Sequence, residues 1–216
     1  MIKNIKQNLI LSEGKNILIY IIIFTLISLY LNSKILFAII LFFTLFSFYF
    51  FRNPNRKISN LDPLDIISPA DGRVVDIDYN YNKLEGYNQK ISIFLSPLDA
   101  HVNWIPITGT VVKVEYKKGT FALAFTDKSS ELNERNDIII EDCNSRKILV
   151  RQIAGTVARR IVCWVKEEDN VNIADKYGMI KFGSRVDILL PKNVEIKLKL
   201  SDYVFGGQTT IGRWLC

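Results

Sequence analysis

From position 17 to position 51 the chain is almost wholly apolar, broken only by Asn32-Ser33-Lys34. The break leaves two runs, 17–31 and 35–51, each predicted to form a helix without a polar face. A spanning helix needs about 20 apolar residues and no fewer than about 17, so both runs are short. Tyr20, Tyr30, Phe50 and Phe51 stand near the run ends, where aromatic rings anchor at a membrane interface. Lys3, Lys6 and Lys15 precede the first run, and Arg52, Arg56 and Lys57 follow the second. Basic flanks stay on the cytoplasmic side, so residues 1–51 are expected to form a transmembrane hairpin with Lys34 at the outer turn. The rival is a re-entrant or interfacial hairpin that never fully crosses. A cleaved signal peptide has one apolar core and a small-residue exit, and neither feature is found here.

Beyond position 51 the hydrophobic period changes to two. Short runs punctuated by Gly, Pro, Asn and Asp predict strands at 72–77, 91–95, 109–116, 120–126, 137–141, 147–153 and 157–165. Further strands are predicted at 179–182, 186–190, 194–200 and 208–211. The stretch Val194-Glu-Ile-Lys-Leu-Lys-Leu200 alternates strictly, as a half-buried strand does. A hint of helical period is confined to 129–136. Residues 52–216 therefore read as one mostly β domain, a compact barrel or sandwich.

The net charge of +6 would suit a nucleic-acid binder, but half of it lies ahead of Arg52, on Lys3, Lys6, Lys15 and Lys34 against Glu13. The remainder is too mild for such a footprint and no recognition motif accompanies it. It suits a domain resting on anionic lipid. The three cysteines, Cys143, Cys163 and Cys216, are widely spaced, and His101 is the only histidine. Neither a zinc site nor a disulfide framework is indicated.

Four places could carry chemistry. Ser68-Pro69-Ala70-Asp71-Gly72 leads into a strand, and its plain structural role is a turn in which Asp71 bonds its own backbone and Gly72 takes a positive φ. His101 follows a Pro-containing turn, and its reference pKa of about 6.5 makes it the natural proton carrier near neutrality. Gly183-Ser184 is the only Gly-Ser pair in the chain, and it interrupts two β runs that would otherwise be continuous. Arg159 and Arg160 are adjacent, so at most one of them faces any pocket; the alternative is a solvated basic pair.

Together these residues resemble a known family. Phe51-Arg-Asn-Pro-Asn-Arg56, Ser68-Pro-Ala-Asp-Gly72, Phe94-Leu-Ser-Pro-Leu-Asp-Ala-His101 and Phe182-Gly-Ser-Arg-Val-Asp187 occur in this order. They are similar to the short, single-domain phosphatidylserine decarboxylases of prokaryotes, and Gln152-Ile-Ala-Gly155, Ala158-Arg-Arg-Ile161 and 206–212 strengthen the match. The resemblance implies a proenzyme that cuts itself at Gly183–Ser184 into a β chain, 1–183, and an α chain, 184–216, which stay associated. It implies that Ser184 becomes a pyruvoyl group, with no metal, and that this carbonyl forms a Schiff base with phosphatidylserine and yields phosphatidylethanolamine. Ser184, His101 and Asp71 would then form a Ser-His-Asp arrangement, with His101 as base and Asp71 as its orienter. Arg159, Arg160 and Arg185 are the candidates for the lipid headgroup. Longer members have a second histidine three residues beyond the first, where this chain has Trp104. The implied setting is the cell membrane, with the catalytic domain on the cytoplasmic face and membrane lipid as partner. Nucleic acid is not a partner, and homo-oligomerisation is left open.

A different class of function fits part of the pattern. A membrane hairpin before a small β domain also describes periplasmic adaptors, and Pro69-Ala-Asp-Gly-Arg-Val-Val75 resembles the strand starts of their lipoyl-like, barrel-sandwich hybrid modules. A relation of the β domain to that fold is therefore expected. The adaptor function itself leaves Gly183-Ser184 without purpose. A serine hydrolase would need a Gly-x-Ser-x-Gly elbow, which the sequence lacks.

Overall fold

A computed structural model describes residues 15–30, 32–56, 58, 61–119, 133–155, 161–180 and 184–215. The chain divides into two compact units, Ile5–Asn55 and a unit running from Arg56 to the C-terminus.

The first unit holds helices α1 (Lys15–Tyr30) and α2 (Lys34–Phe50), which pack on each other. Ser33 caps α2, its hydroxyl accepting from the Leu36 amide. Large apolar side chains such as Phe24, Leu26, Phe42 and Leu45 stand mostly in the open. At 16 and 17 residues the helices run about 24–26 Å against a hydrocarbon core of about 30 Å. Among the described residues no helix is long and apolar enough to cross a membrane.

The second unit is mostly β. Its strands are β1 (Asp65–Ile67), β2 (Gly72–Asp78), β3 (Gln89–Leu95), β4 (Val102–Trp104), β5 (Gly109–Lys117), β6 (Arg135–Glu141) and β7 (Lys147–Ala154). They continue with β8 (Ile161–Cys163), β9 (Asn170–Val171), β10 (Lys176–Ile180), β11 (Ser184–Leu190), β12 (Val194–Ile196), β13 (Tyr203–Val204) and β14 (Thr210–Trp214). An eight-stranded sheet has the order β13-β2-β3-β11-β7-β6-β5-β9, beside three-stranded sheets β1-β14-β12 and β4-β10-β8. Among the described residues no pairing closes the large sheet, so the expected barrel is absent.

One face of the large sheet makes the core. Ile91, Ile93 and Leu95 of β3, Val186, Ile188 and Leu190 of β11, and Ile148, Val150 and Ala154 of β7 all belong to a single buried cluster. They recur at every second residue, which is why the period-two pattern located these strands. Each such side chain contributes about 1.5–3 kcal/mol by leaving water, and the row through Ile188 joins four adjacent strands.

Several expectations changed. The strand expected over 194–200 stops at Ile196, because the chain turns at 199–202, where Asp202 accepts from the Lys199 amide and Ser201 takes φ 72°. Residues 135 and 136 of the helical hint are strand, paired in register with Ile153 and Gln152. The strand over 157–165 survives as 161–163, with 157–160 outside the described residues, as is all of 120–126. Gly72 does take a positive φ, 143°, and a Cβ there would lie 2.1 Å from the Phe94 carbonyl oxygen, so no larger residue fits.

Candidate active site

Ser184 opens β11, the strand held between β3 and β7, where it pairs with Leu95 on one side and Ala154 on the other. It is fully buried, and its Oγ has no hydrogen-bond partner among the described residues. A buried hydroxyl without a partner is costly to keep and calls for a reason. Gly183, Arg159 and Arg160 lie outside the described residues.

His101 reaches the same region by two routes. Leu95, the partner of Ser184, runs into the turn 96–99 that leads to His101; the turn is closed by Asp99, which accepts from the Ser96 amide at 2.7 Å. From the other side, the His101 carbonyl accepts from the amide of Ile180, the last residue of β10, at 3.2 Å. The imidazole is fully buried, with Nδ1 2.9 Å from the Asp99 carbonyl oxygen. A carbonyl only accepts, so Nδ1 carries the proton and Nε2 is the basic nitrogen. That is the tautomer a general base requires.

Among the described bonds none joins Asp71 to that imidazole. Its described bonds go elsewhere: Arg56 forks both carboxylate oxygens, with Nη2 2.6 Å from Oδ2, and the Gly206 amide donates to Oδ1 at 2.8 Å. Nor does Asp71 bond its own backbone, the alternative role for this turn. The Arg56 guanidinium lies 4.5 Å from the centre of the Trp104 ring and also donates to the Gly206 carbonyl. Trp104 is thus the aromatic floor under an arginine. Burial, with the charge of Arg56 second, pushes the Lys176 ammonium below its ordinary pKa. The described bonds thus give His101 a backbone carbonyl and Asp71 an ion pair as anchors.

Arg185 is placed differently from Ser184. Neighbours in a strand face opposite ways, and Arg185 points away from Ser184. It is buried against Asp187, with Nε 2.7 Å from Oδ1 and Nη2 3.0 Å from Oδ2. Burial raises the Asp187 pKa, but the charge and hydrogen bonds of Arg185, with Ser92 and Lys90, outweigh it and hold the carboxyl below its ordinary value. Arg151, which is paired with Asp137, lies next to Asp187 in register and extends the buried charged row. Arg185→Met is therefore expected to cost stability, about 3–5 kcal/mol, rather than substrate affinity, because it strands a buried carboxylate. A depressed carboxyl pKa stabilises the fold above about pH 4, and that contribution fades as pH falls through the folded value. The gap between parent and variant in urea unfolding should accordingly narrow in acid.

Residues that the sequence did not single out complete the site: Arg56, Asp99 with its side chain bonded by Tyr203, and the amides of Asn103, Asn136 and Gln152. Arg56, Asp99 and Gln152 do fall inside the motifs that carried the resemblance. A cleft of about 650 Å³ lined by Asp62, Asp142, Arg146 and Trp214 lies at the β6–β7 turn, the far end of those strands from Ser184. Among the described residues no cluster of three His, Cys, Asp or Glu could hold a metal ion.

The profile of the phosphatidylserine decarboxylase family matches residues 43–212, which include Arg56, Asp71, His101 and Ser184. The chain belongs to the phosphatidylserine decarboxylase family. It is 43% identical over 171 residues to a phosphatidylserine decarboxylase proenzyme of Syntrophus aciditrophicus, covering 78% of this chain and 80% of that one. A proenzyme of the same name from Ehrlichia ruminantium is 47% identical over 171 residues, with 78% and 75% covered. One from Desulfotalea psychrophila is 38% identical over 203 residues, 93% of this chain and 94% of the other. This phosphatidylserine decarboxylase family member is thus a decarboxylase of phospholipid metabolism, matched over most of its length.

Proposed function

We propose that the chain is a self-processing proenzyme that cuts itself between Gly183 and Ser184, converts Ser184 to a pyruvoyl group, and uses it to decarboxylate phosphatidylserine to phosphatidylethanolamine. The observation that carries this is Ser184 Oγ, buried and unpartnered at the first position of a central strand. A nucleophile kept from water and from competing hydrogen bonds is available to the adjacent peptide carbonyl. The proenzyme designation of the relatives supports it.

His101 takes the Ser184 hydroxyl proton on Nε2, in the tautomer set by the Asp99 carbonyl. Arg56, Asp71 and the Gly206 loop are held as one unit, since one guanidinium binds both the carboxylate and the loop carbonyl. The surroundings of Ser184 fit a covalent carbonyl group: the flanking core is apolar, with Leu95, Ala154 and Val186 as neighbours. Once formed, the pyruvoyl group supplies the electron-withdrawing carbonyl that decarboxylation of an amino acid needs. The chain's apolar wall keeps water from the site as carbon dioxide leaves.

The same proposal includes a membrane setting. The apolar surface of α1 and α2 suits a re-entrant or interfacial hairpin, with the basic flanks and the catalytic unit on the cytoplasmic face. A headgroup arginine is left to Arg159 or Arg160. Intact mass measurement of the purified full-length protein tests the first part: two chains are expected, the smaller beginning at position 184 with a blocked terminus. A single unmodified chain from active protein would refute it. Washing membranes with high salt is expected to leave the protein bound, since burial of apolar surface is insensitive to screening; release by salt would refute the membrane hairpin.

A further inference from the structure

Three buried amide side chains lie in a line on the core side of the sheet. Asn136 Nδ2 donates to Gln152 Oε1 at 3.1 Å, and Gln152 Nε2 donates to Asn103 Oδ1 at 2.8 Å. Gln152 and Asn103 are fully buried and Asn136 nearly so. Gly178 lets the line pass, because a Cβ there would sit 2.9 Å from Gln152 Nε2. Each amide polarises the next, and the line ends at Asn103 Nδ2, a buried donor with no hydrogen-bond partner among the described residues.

The register carries the line onto the face of the sheet that bears Ser184. Gln152 pairs with Val186 and Ala154 pairs with Ser184, so alternation puts Gln152 and Ser184 on the same face of adjacent strands. Asn103 is bonded to Gln152 from above that face. His101 precedes Asn103 by two residues, continuing β4 through its bond to Ile180, so the base and the amide share a side.

We infer that Asn103 is the oxyanion donor of self-cleavage, with Gln152 and Asn136 as positioning residues; this rests on the reading that Ser184 attacks the preceding carbonyl. In that step a bond forms between Ser184 Oγ and the carbonyl carbon, the hydroxyl proton passes to His101 Nε2, and the π pair moves onto the carbonyl oxygen. Collapse breaks the C–N bond, and the departing nitrogen takes the proton back, leaving an ester. Charge develops on the oxygen only when the carbon becomes tetrahedral. A donor aimed at that later position is unpartnered in the ground state, which is the condition of Asn103 Nδ2. A neutral amide suits a dry site, since a cation there would need a partner of its own. The described arginines around the site already have theirs, Arg56 on Asp71 and Arg185 on Asp187.

The test follows conversion of freshly synthesised full-length chain into its two pieces on a gel. Asn103→Asp keeps the shape and the acceptor for Gln152 while deleting the donor, and Asn103→Ala deletes both. Each is expected to cut about 10²–10³-fold more slowly, with cooperative thermal unfolding retained in at least the isosteric Asn103→Asp. Gln152→Ala is expected to fall between parent and Asn103→Ala. The double variant should be no slower than Asn103→Ala alone, because Gln152 acts through Asn103. Parental cutting by folded Asn103→Asp would overturn the inference, and additive losses in the double variant would overturn the positioning role. Ser184→Ala in parallel separates the two levels: if it is cut, the reading of Ser184 fails; if it stays whole, only Asn103 is in question.

Discussion

Ser184→Ala is expected to remain a single uncut chain without decarboxylase activity. In the proposed processing the hydroxyl is needed twice, first as the nucleophile and then, as the ester oxygen, as the leaving group of the elimination that turns the serine carbons into the pyruvoyl group, so alanine cannot substitute. The substitution removes one buried, unpartnered oxygen and leaves a methyl among Leu95, Ala154 and Val186. The fold should therefore be kept or slightly stabilised. The variant separates chemistry from stability cleanly, and an uncut but active Ser184→Ala protein would rule out the pyruvoyl mechanism.

His101→Ala should slow self-cleavage by about 10²–10⁴-fold, the usual worth of a positioned base. Asp71→Asn offers the informative contrast. If Asp71 oriented the imidazole, the two variants would share a phenotype. With Asp71 forked by Arg56 and bonded to Gly206, its loss should loosen that loop and lower the unfolding temperature. Its effect on cutting should be the smaller of the two. Gel kinetics beside thermal unfolding read both numbers, and equal cleavage defects at unchanged stability would restore the Ser-His-Asp line.

The strands with five or more residues facing one core were legible because their apolar positions repeat every second residue, as in β3, β7 and β11. The short strands β1, β4, β9 and β13 were not. Two or three residues hold no period, and their pairing depends on partners far along the chain, as Asp65 on Arg213. The site divided in the same way. Ser184, His101 and Asp71 sat in recognisable motifs, but their partners could not be read, since Arg56 and Asp71 are 15 residues apart and Asp71 and Gly206 135. Arg185 is different. Its place next to Ser184 in a strand already required it to face the other way, and the alternation that located β11 carried that signal.

The position of β11 has a thermodynamic consequence. Six of its seven residues pair with both β3 and β7, and β14 and β13 beyond it pair with β1 and β2. While the chain is whole, closing these long-range pairings is a unimolecular event. After a break before Ser184, the same pairings join two separate molecules, and their equilibrium depends on concentration. The proenzyme should refold from urea at any dilution, whereas the processed protein, once unfolded, should fail to reassemble when dilute. If the proposed cut is made, it acts as a ratchet: the native arrangement is reached under one set of rules and afterwards kept only by the slowness of strand release.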